Sequence, residues 1–331
     1  MIPFDYAPAS DTDSAVATVT ARPGAAFLGG GTNLVDHMKL GIASPDLLVD
    51  VTRLPLDAVE ELPDGGLRIG ATVRNSDLAA NPLLRSRYPL LSHALLAGAS
   101  GQLRNAATTA GNLLQRTRCS YFQDVTTPCN KREPGSGCAA IGGWNRYHAV
   151  LGASEHCIAV HPSDMAVAMS AADAVVTVLG EEGERRVPLG EFYRLPGDTP
   201  QYDTNLAHGE LITSVELPPL PAGARSGYRK VRDRASFAFA LVSAAAVLVT
   251  DGGHVREARI AFGGLAHKPW RATHAEEALR GAVLGEEAFR LAADAELRYG
   301  QPLPGNAFKI PMARNALAAL LRELAFVEER R

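Results

Sequence analysis

"AAFLGGGTNLVDHMKLGIASPDLLVD", residues 25–50, is the stretch on which the reading of the fold turns. A short apolar strand near Ala25 to Leu28 runs into the glycine-rich turn GGGTNL, a helix follows through VDHMKLG, and DLLVDV reads as a buried strand. The result is a β-turn-α-β unit at the start of the chain. Gly29, Gly30 and Gly31 leave backbone N–H groups uncovered where a helix begins, which suits an anion such as a pyrophosphate. The pattern is neither G-x-G-x-x-G nor a Walker P-loop, so it supports neither a Rossmann domain nor a kinase. A tight turn that needs only glycine's backbone freedom has the same letters.

Outward from this unit, LRIGA is expected as a strand, with helices at 75–80 and 92–99, the second opening on a Ser92 cap. CIAVHPSDMAVAMSAADAVVTVLG reads as strand, helix, strand, with Pro162 in the first helical turn and Asp164 near its positive end. The strand ELITSVELP leads into a proline and glycine cluster near 218–227, the expected main domain boundary. Beyond it YRKVRDR, FALVSAAAVLV and VREARIAFGGLA read as strands, although the alanine-rich one reads equally as a buried helix. THAEEALRG, GEEAFRLAADAELRYG and ALAALLRELAFVEERR carry apolar residues at helical spacing.

A chain of 331 residues has room for two or three modest domains. Its 33 basic and 36 acidic residues are spread along the length, which leaves no basic stripe for a nucleic-acid backbone. The N-terminus MIPFDYAPASDTDS lacks the positive flank and apolar core of a signal peptide, and no apolar run approaches the roughly 20 residues of a membrane span. By its own sequence the chain is therefore expected in the cytoplasm.

Three further groups of residues could carry chemistry. RNAATTAGNL, residues 104–113, is a second small-residue loop with Thr108, Thr109, Gly111 and Asn112; together with the first loop it favours a dinucleotide, though a helix-capping turn looks the same. HPSD, residues 161–164, offers Asp164 as an acceptor for sugar or ribityl hydroxyls, or as a first-turn partner of the helix dipole. Lys230 lies among alternating cations, where it can approach a flavin or phosphate or form a solvated strand face.

All four cysteines lie between 119 and 157, spaced C-x9-C-x8-C-x18-C. That spacing lacks the C-x2-C pairs of zinc ribbons and the compact run of bacterial ferredoxins. The residues between them are turn formers with little apolar content, so the segment has no core of its own and needs another anchor. Thiolates around an iron-sulfur cluster would supply one; structural zinc and disulfides stay open, and His148, His156 and His161, each able to replace a thiolate, read as solvated loop histidines because four cysteines already complete a site.

Taken together, GGGTNL, QLRNAATTAGN, HPSD, ELITSVELP and IAFGGLAHKPWRA resemble the FAD-binding (medium) subunit of the xanthine dehydrogenase family of molybdenum hydroxylases, over nearly the whole chain. The four-cysteine insertion is similar to that in medium subunits of bacterial periplasmic-type aldehyde oxidoreductases and, more loosely, of 4-hydroxybenzoyl-CoA reductase, which carry an extra [4Fe-4S] cluster. The resemblance implies an α+β fold: a two-lobed PCMH-type FAD-binding domain over 1–220, then a CO-dehydrogenase-flavoprotein-like α+β domain over 224–331. The small lobe would span about 1–55 and the larger about 56–220, with the cluster insertion at 115–160.

Site residues follow from the same resemblance. Phe27, Leu28, Gly29, Gly30, Gly31, Thr32, Asn33 and Leu34 match the first FAD loop. Thr108, Gly111 and Asn112 match the second, in which Ala110 replaces a family glycine and leaves the local backbone path in question. Asp164, Ile212 and Lys230 fall where relatives approach the ribityl and isoalloxazine groups, and Cys119, Cys129, Cys138 and Cys157 match the cluster ligands.

The implied role is electron transfer, with no catalytic residue in this chain. A molybdenum-cofactor large subunit oxidises the substrate, a small subunit with two [2Fe-2S] clusters passes electrons to FAD, and an external acceptor takes them. Export on a partner's twin-arginine signal would carry such a complex to the periplasm. The alternatives are the beta subunit of a 4-hydroxybenzoyl-CoA reductase-like enzyme, a zinc-stabilised non-redox binding protein, and a stand-alone flavin oxidase related to UDP-N-acetylenolpyruvoylglucosamine reductase.

Overall fold

The computed structural model describes residues 1–326. Three sheets organise them. The first contains β1 (Asp5–Pro8), β2 (Ala25–Leu28) and β3 (Leu47–Asp50), all parallel in the order β1-β3-β2. The expected strand-turn-helix-strand unit is there, with the helix at Leu34–Lys39. The sequence reading missed β1 and the helix Thr12–Thr20, whose Ala15, Val16 and Val19 are buried against this sheet. A signal for that helix exists in Asp11, whose side chain caps it by accepting from the Ser14 amide at 2.8 Å.

The second sheet is antiparallel: β4 (Val59–Glu61), β5 (Leu67–Gly70), β6 (Val175–Gly180), β7 (Gly183–Pro188) and β8 (Leu211–Leu217), in the order β4-β5-β8-β6-β7. The third, β9 (Arg225–Val231), β10 (Val242–Asp251), β11 (His254–Gly263) and β12 (Trp270–Arg271), is also antiparallel, in the order β12-β11-β10-β9. The fold is mixed α and β, as expected.

Strand β10 resolves the ambiguity of FALVSAAAVLV in favour of strand. Its Ala245 and Val247 belong to one core, and Val242, Ala244, Ala246 and Leu248 to another. That period of two is the signature of a strand buried on both faces. The helix Asp164–Ala171 packs on β10, as does the helix Lys309–Phe326, and only small side chains leave room for both layers. Alanine's helix propensity is overridden by pairing on both edges, with β9 and β11.

Five local expectations are corrected. His148 and His161, expected as solvated loop histidines, are buried by the packing of segments around them. The helix expected at 92–99 is Pro89–Ala97, and Ser92 is no cap: its hydroxyl is buried inside the helix and donates to the Ala79 carbonyl at 2.9 Å. Pro162 precedes the helix Asp164–Ala171, which Ser163 caps by accepting from the Ala166 amide. Residues 157–161 form no named strand; the Ile158 carbonyl accepts from Ala149 and the His161 amide donates to Ala266. The final helix starts at Lys309, earlier than expected, and the end of its expected range lies outside the described residues.

The cysteine segment is mostly turns, with a single helical turn at Ser120–Gln123. Much of its anchorage is protein. The Lys131 ammonium, fully buried, donates to the Pro200 carbonyl and to Asp203 Oδ1, each at 2.5 Å. Arg132 donates to the carbonyls of Tyr121, Phe122 and Thr127, and Asn306 to those of His148 and Ala149. Among the described residues no helix is long and apolar enough to cross a membrane.

Candidate functional site

The two small-residue loops meet. A Cβ added to Gly30 would lie 1.9 Å from the Ala106 carbonyl oxygen, so backbone touches backbone there. Gly29 and Gly111 each abut the Thr108 hydroxyl, at 3.0 and 2.9 Å from an added Cβ. The second loop is held by its own backbone: the Asn75 amide donates to Ala107, Thr109 to Val73 and Ala110 to Ala71. Ala110 sits inside the helix Thr109–Leu113 and is not among the residues at positive φ, so its methyl fits without strain.

Over these loops opens a cavity of about 280 Å³, lined by Phe27, Gly29, Gly30, Gly31, Thr32, Asn33, Leu34, Thr108, Gly111 and Ile212. A neighbouring cavity of about 360 Å³ shares Thr32, Asn33 and Gly111 with it and adds Asn112 and Asp164. A third, of about 510 Å³, shares Arg118, Pro162, Asp164 and Phe237 to Phe239 with the second. The three make one continuous trough along the joined loops. Leu28 lies beneath it, 3.6 Å from the position of a Cβ on Gly31, whose φ of +70° only glycine adopts freely. Lys230 lines none of the three, and instead backs Asp164, donating to Oδ2 at 2.7 Å and to the Ala97 carbonyl at 3.1 Å.

The chemistry of the walls suits a dinucleotide. The floor is backbone with the hydroxyl-bearing Thr32, Thr72 and Thr108, and the cations Arg116, Arg104 and Arg118 stand along the trough. Thr72 Oγ1, Asn75 Oδ1 and Arg118 Nε are buried without a protein partner, and all three residues line it. Buried polar groups are normally paired, so such orphans mark where a polar ligand would bond. Burial lowers the Arg118 pKa, and the ring of Phe239 lies 5.0 Å from its guanidinium carbon. His37, beside Arg116 and Arg118, is pushed down to about 4, chiefly by burial, and is neutral at pH 7.

Sequence reasoning missed Arg116 and Arg118. The Arg116 amide donates to Asn33 Oδ1 at 2.9 Å, tying the first loop to the cysteine segment, and its Nε donates to Asp203 Oδ2 at 2.8 Å. The only signal for them was two cations, in RTRC, directly before Cys119.

The four cysteines are all free thiols. Cys129 and Cys138 face each other across an isolated antiparallel bridge. Burial pushes the Cys119 thiol up to about 11, with Cys129 and Cys138 close enough to raise it further. Cys157 is pushed up to about 12 by burial, and feels both Cys138 and Cys119. The segment thus gathers its thiols into one electrostatically coupled group. Among the described residues no three His, Cys, Asp or Glu side chains converge as ligands of a single metal ion.

Comparison with known proteins agrees with this architecture. Residues 2–220 match the FAD binding domain in molybdopterin dehydrogenase, and residues 226–325 the CO dehydrogenase flavoprotein C-terminal domain. The chain is 53% identical over 321 residues to the aldehyde oxidoreductase FAD-binding subunit PaoB of Escherichia coli, covering 97% of this chain and 98% of that one. It is 27% identical over 284 residues to the glyceraldehyde dehydrogenase medium chain of Sulfolobus acidocaldarius, 86% and 83% of the two chains. A solved structure of carbon monoxide dehydrogenase from Hydrogenophaga pseudoflava, lacking the Mo-pyranopterin moiety of its cofactor, superposes with a TM-score of 0.77 at 28% identity over 98% of each chain.

Proposed function

The chain belongs to the FAD-binding medium subunits of the xanthine dehydrogenase family of molybdenum hydroxylases, and we propose that it is the electron-transfer flavoprotein subunit of a molybdenum-containing aldehyde oxidoreductase. In this reading electrons arrive from [2Fe-2S] clusters of a small partner subunit and leave to an external acceptor, while the large partner carries the molybdenum cofactor. FAD supplies a carrier able to take electrons singly or in pairs. The observation that carries the proposal is the backbone-to-backbone contact of the two loops at Gly30 beneath a continuous trough with orphaned polar walls. Identity of 53% to an aldehyde oxidoreductase subunit favours this over a 4-hydroxybenzoyl-CoA reductase-like enzyme. A flavin-free zinc protein leaves the trough unexplained.

The residues of this chain then have distinct tasks. Backbone N–H groups of residues 29–33 and 108–112 would hold the diphosphate, with Arg116 and Arg118 offsetting its charge. Asp164 would accept hydrogen bonds from ribityl hydroxyls while Lys230 and Tyr228 hold the carboxylate still. Ile212 and Phe27 would supply apolar wall. The domain division at 220–224 is proposed with the same reading.

The finer part of the proposal is an additional [4Fe-4S] cluster on Cys119, Cys129, Cys138 and Cys157. A donor set of four gathered thiols, Cys129 and Cys157 buried and Cys119 and Cys138 half-buried, suits iron-sulfur chemistry.

The test is purification of the tagged chain from its host under anaerobic conditions. Expected are co-purifying large and small subunits, molybdenum, FAD, and about four irons beyond those of two [2Fe-2S] clusters. A colourless chain without partners, flavin or iron overturns the reading. Cys129→Ser, scored for flavin reduction by aldehyde and for thermal stability, separates a relay role of the cluster from a purely structural one.

A further inference from the structure

One side chain outside the assigned ligand set aims a ring nitrogen at a thiol. His148, 3% exposed, places Nε2 3.1 Å from Sγ of Cys119, a contact made across 29 residues of chain. Its other ring nitrogen, Nδ1, is buried with no partner. Together these select the tautomer. A proton on Nδ1 would bury an N–H donor with no acceptor, at the full desolvation cost of that group. With the proton on Nε2 the unpaired atom is only a lone pair, and Nε2–H donates to the sulfur.

The backbone that carries the ring is fixed by its own turn and by groups from the far end of the chain. The His148 amide donates to the Asn145 carbonyl at 3.0 Å, and the His148 carbonyl accepts from Lys309 Nζ at 2.9 Å and Asn306 Nδ2 at 3.3 Å. Both donors are fully buried. Of the four thiols, Cys119 is the one that lines the trough, and His148 stands beside it in the same 510 Å³ cavity. The sulfur that receives the hydrogen bond is thus the one facing the proposed flavin site.

We propose that His148 is a positioning and tuning residue for the cluster, its Nε2–H donating to the Cys119 thiolate and raising the cluster's reduction potential. The inference rests on the cluster reading above. A hydrogen bond to a ligand sulfur withdraws charge from the iron-sulfur unit, and it stabilises the reduced, more negative state more than the oxidised one.

The experiment uses the intact complex, purified anaerobically as wild type, His148→Leu and His148→Gln. Iron and acid-labile sulfide are counted, and the cluster is titrated with its paramagnetic resonance signal as readout. Expected is full cluster content in all three, a shift to lower potential in His148→Leu, and a potential near wild type in His148→Gln, whose amide restores a donor. Loss of the cluster in His148→Leu with retention in His148→Gln also supports the assignment. Equal potentials in wild type and His148→Leu, equal shifts in both variants, or loss of the cluster in both overturn it. A wild-type complex with no iron beyond its [2Fe-2S] clusters refutes the cluster reading itself, an outcome distinguishable from the failure of His148 alone.

Discussion

The ammonium of Lys230 lies 2.7 Å from Oδ2 of Asp164, and the two side chains are 4% and 8% exposed. The Tyr228 hydroxyl donates to Oδ1 at 2.5 Å. Tyr228 and Lys230 are two apart on β9 and so share a face, while Asp164 opens a helix packed on the neighbouring strand β10. Strand and helix are thereby pinned at the wall of the trough, and Lys230 acts on any ligand through Asp164.

Lys230→Met leaves a buried carboxylate with a hydroxyl as its remaining side-chain partner. Removing one member of a buried pair costs about 3–5 kcal/mol, to be read as a lowered denaturant midpoint. Part of this loss returns in the Lys230→Met, Asp164→Asn double variant, which buries no charge at the site. FAD content of the purified protein falls in both, because Asp164 is the group the ligand is proposed to meet.

Gly30→Ala tests the contact of the two loops. The added methyl meets a carbonyl oxygen at 1.9 Å, and backbone cannot move aside as a flexible side chain can. Overpacking of this kind costs ~1–3 kcal/mol. The expected result is loss of most bound flavin, measured by extraction, with a smaller fall in melting temperature.

Ala110→Gly is expected to do little for flavin binding, since Ala110 already has helical φ. It should cost ~0.5–1 kcal/mol of stability through the greater freedom of glycine in the unfolded chain. A gain in flavin affinity would show that the methyl obstructs the site.

Lys131→Met removes the buried anchor of the cysteine segment. Burial alone would push the Asp203 carboxyl up, yet Lys131 and Arg116 beside it hold it well below the usual carboxylate range. The stability this pairing contributes is present above the unfolded-state value of about 4 and is lost as pH falls below it. Lys131→Met should destabilise by about 3–5 kcal/mol at pH 7, with faster proteolysis within residues 115–160 as the local readout.

Three buried neutral histidines set a second pH window. Burial pushes His37 and His161 down to about 4 and His267 to about 3. Unfolding lets each take up a proton near pH 6.5, so their contribution is complete above that pH and is lost as pH falls towards 4. Each adds a slope of about 1.4 kcal/mol per pH unit between the two values. Urea midpoints at pH 7.5, 6 and 5 should be level at the top of this series and fall steeply below it; equal midpoints at pH 7.5 and 5 would exclude the effect.

Much of the site was legible because its signals are local. A strand, three glycines and a helix follow one another within residues 25–39, and backbone dihedral preferences act over that range. The second loop and the crowding of cysteines are equally visible as runs of letters. Ser92 and Pro162 were misplaced by a few residues because a serine looks the same as a cap and as a buried donor, and a proline the same before and after a cap. The missed strand β1 is short and mostly exposed, and its place in the parallel sheet comes from pairing with β3, more than thirty-five residues on.

By itself the sequence determined the mixed α and β class, the glycine turn at a helix start, the second loop with its hydroxyls, and the gathering of every thiol into one polar segment. Tertiary structure alone decided that alanine-rich β10 is a strand between two cores, that Lys230 serves Asp164, that Lys131 anchors the cysteine segment, and that His148 meets Cys119. The reason is one of range. Propensity and turn chemistry act over a few residues, whereas a buried charge or ring nitrogen finds its partner only after the packing of distant segments has removed water from around it.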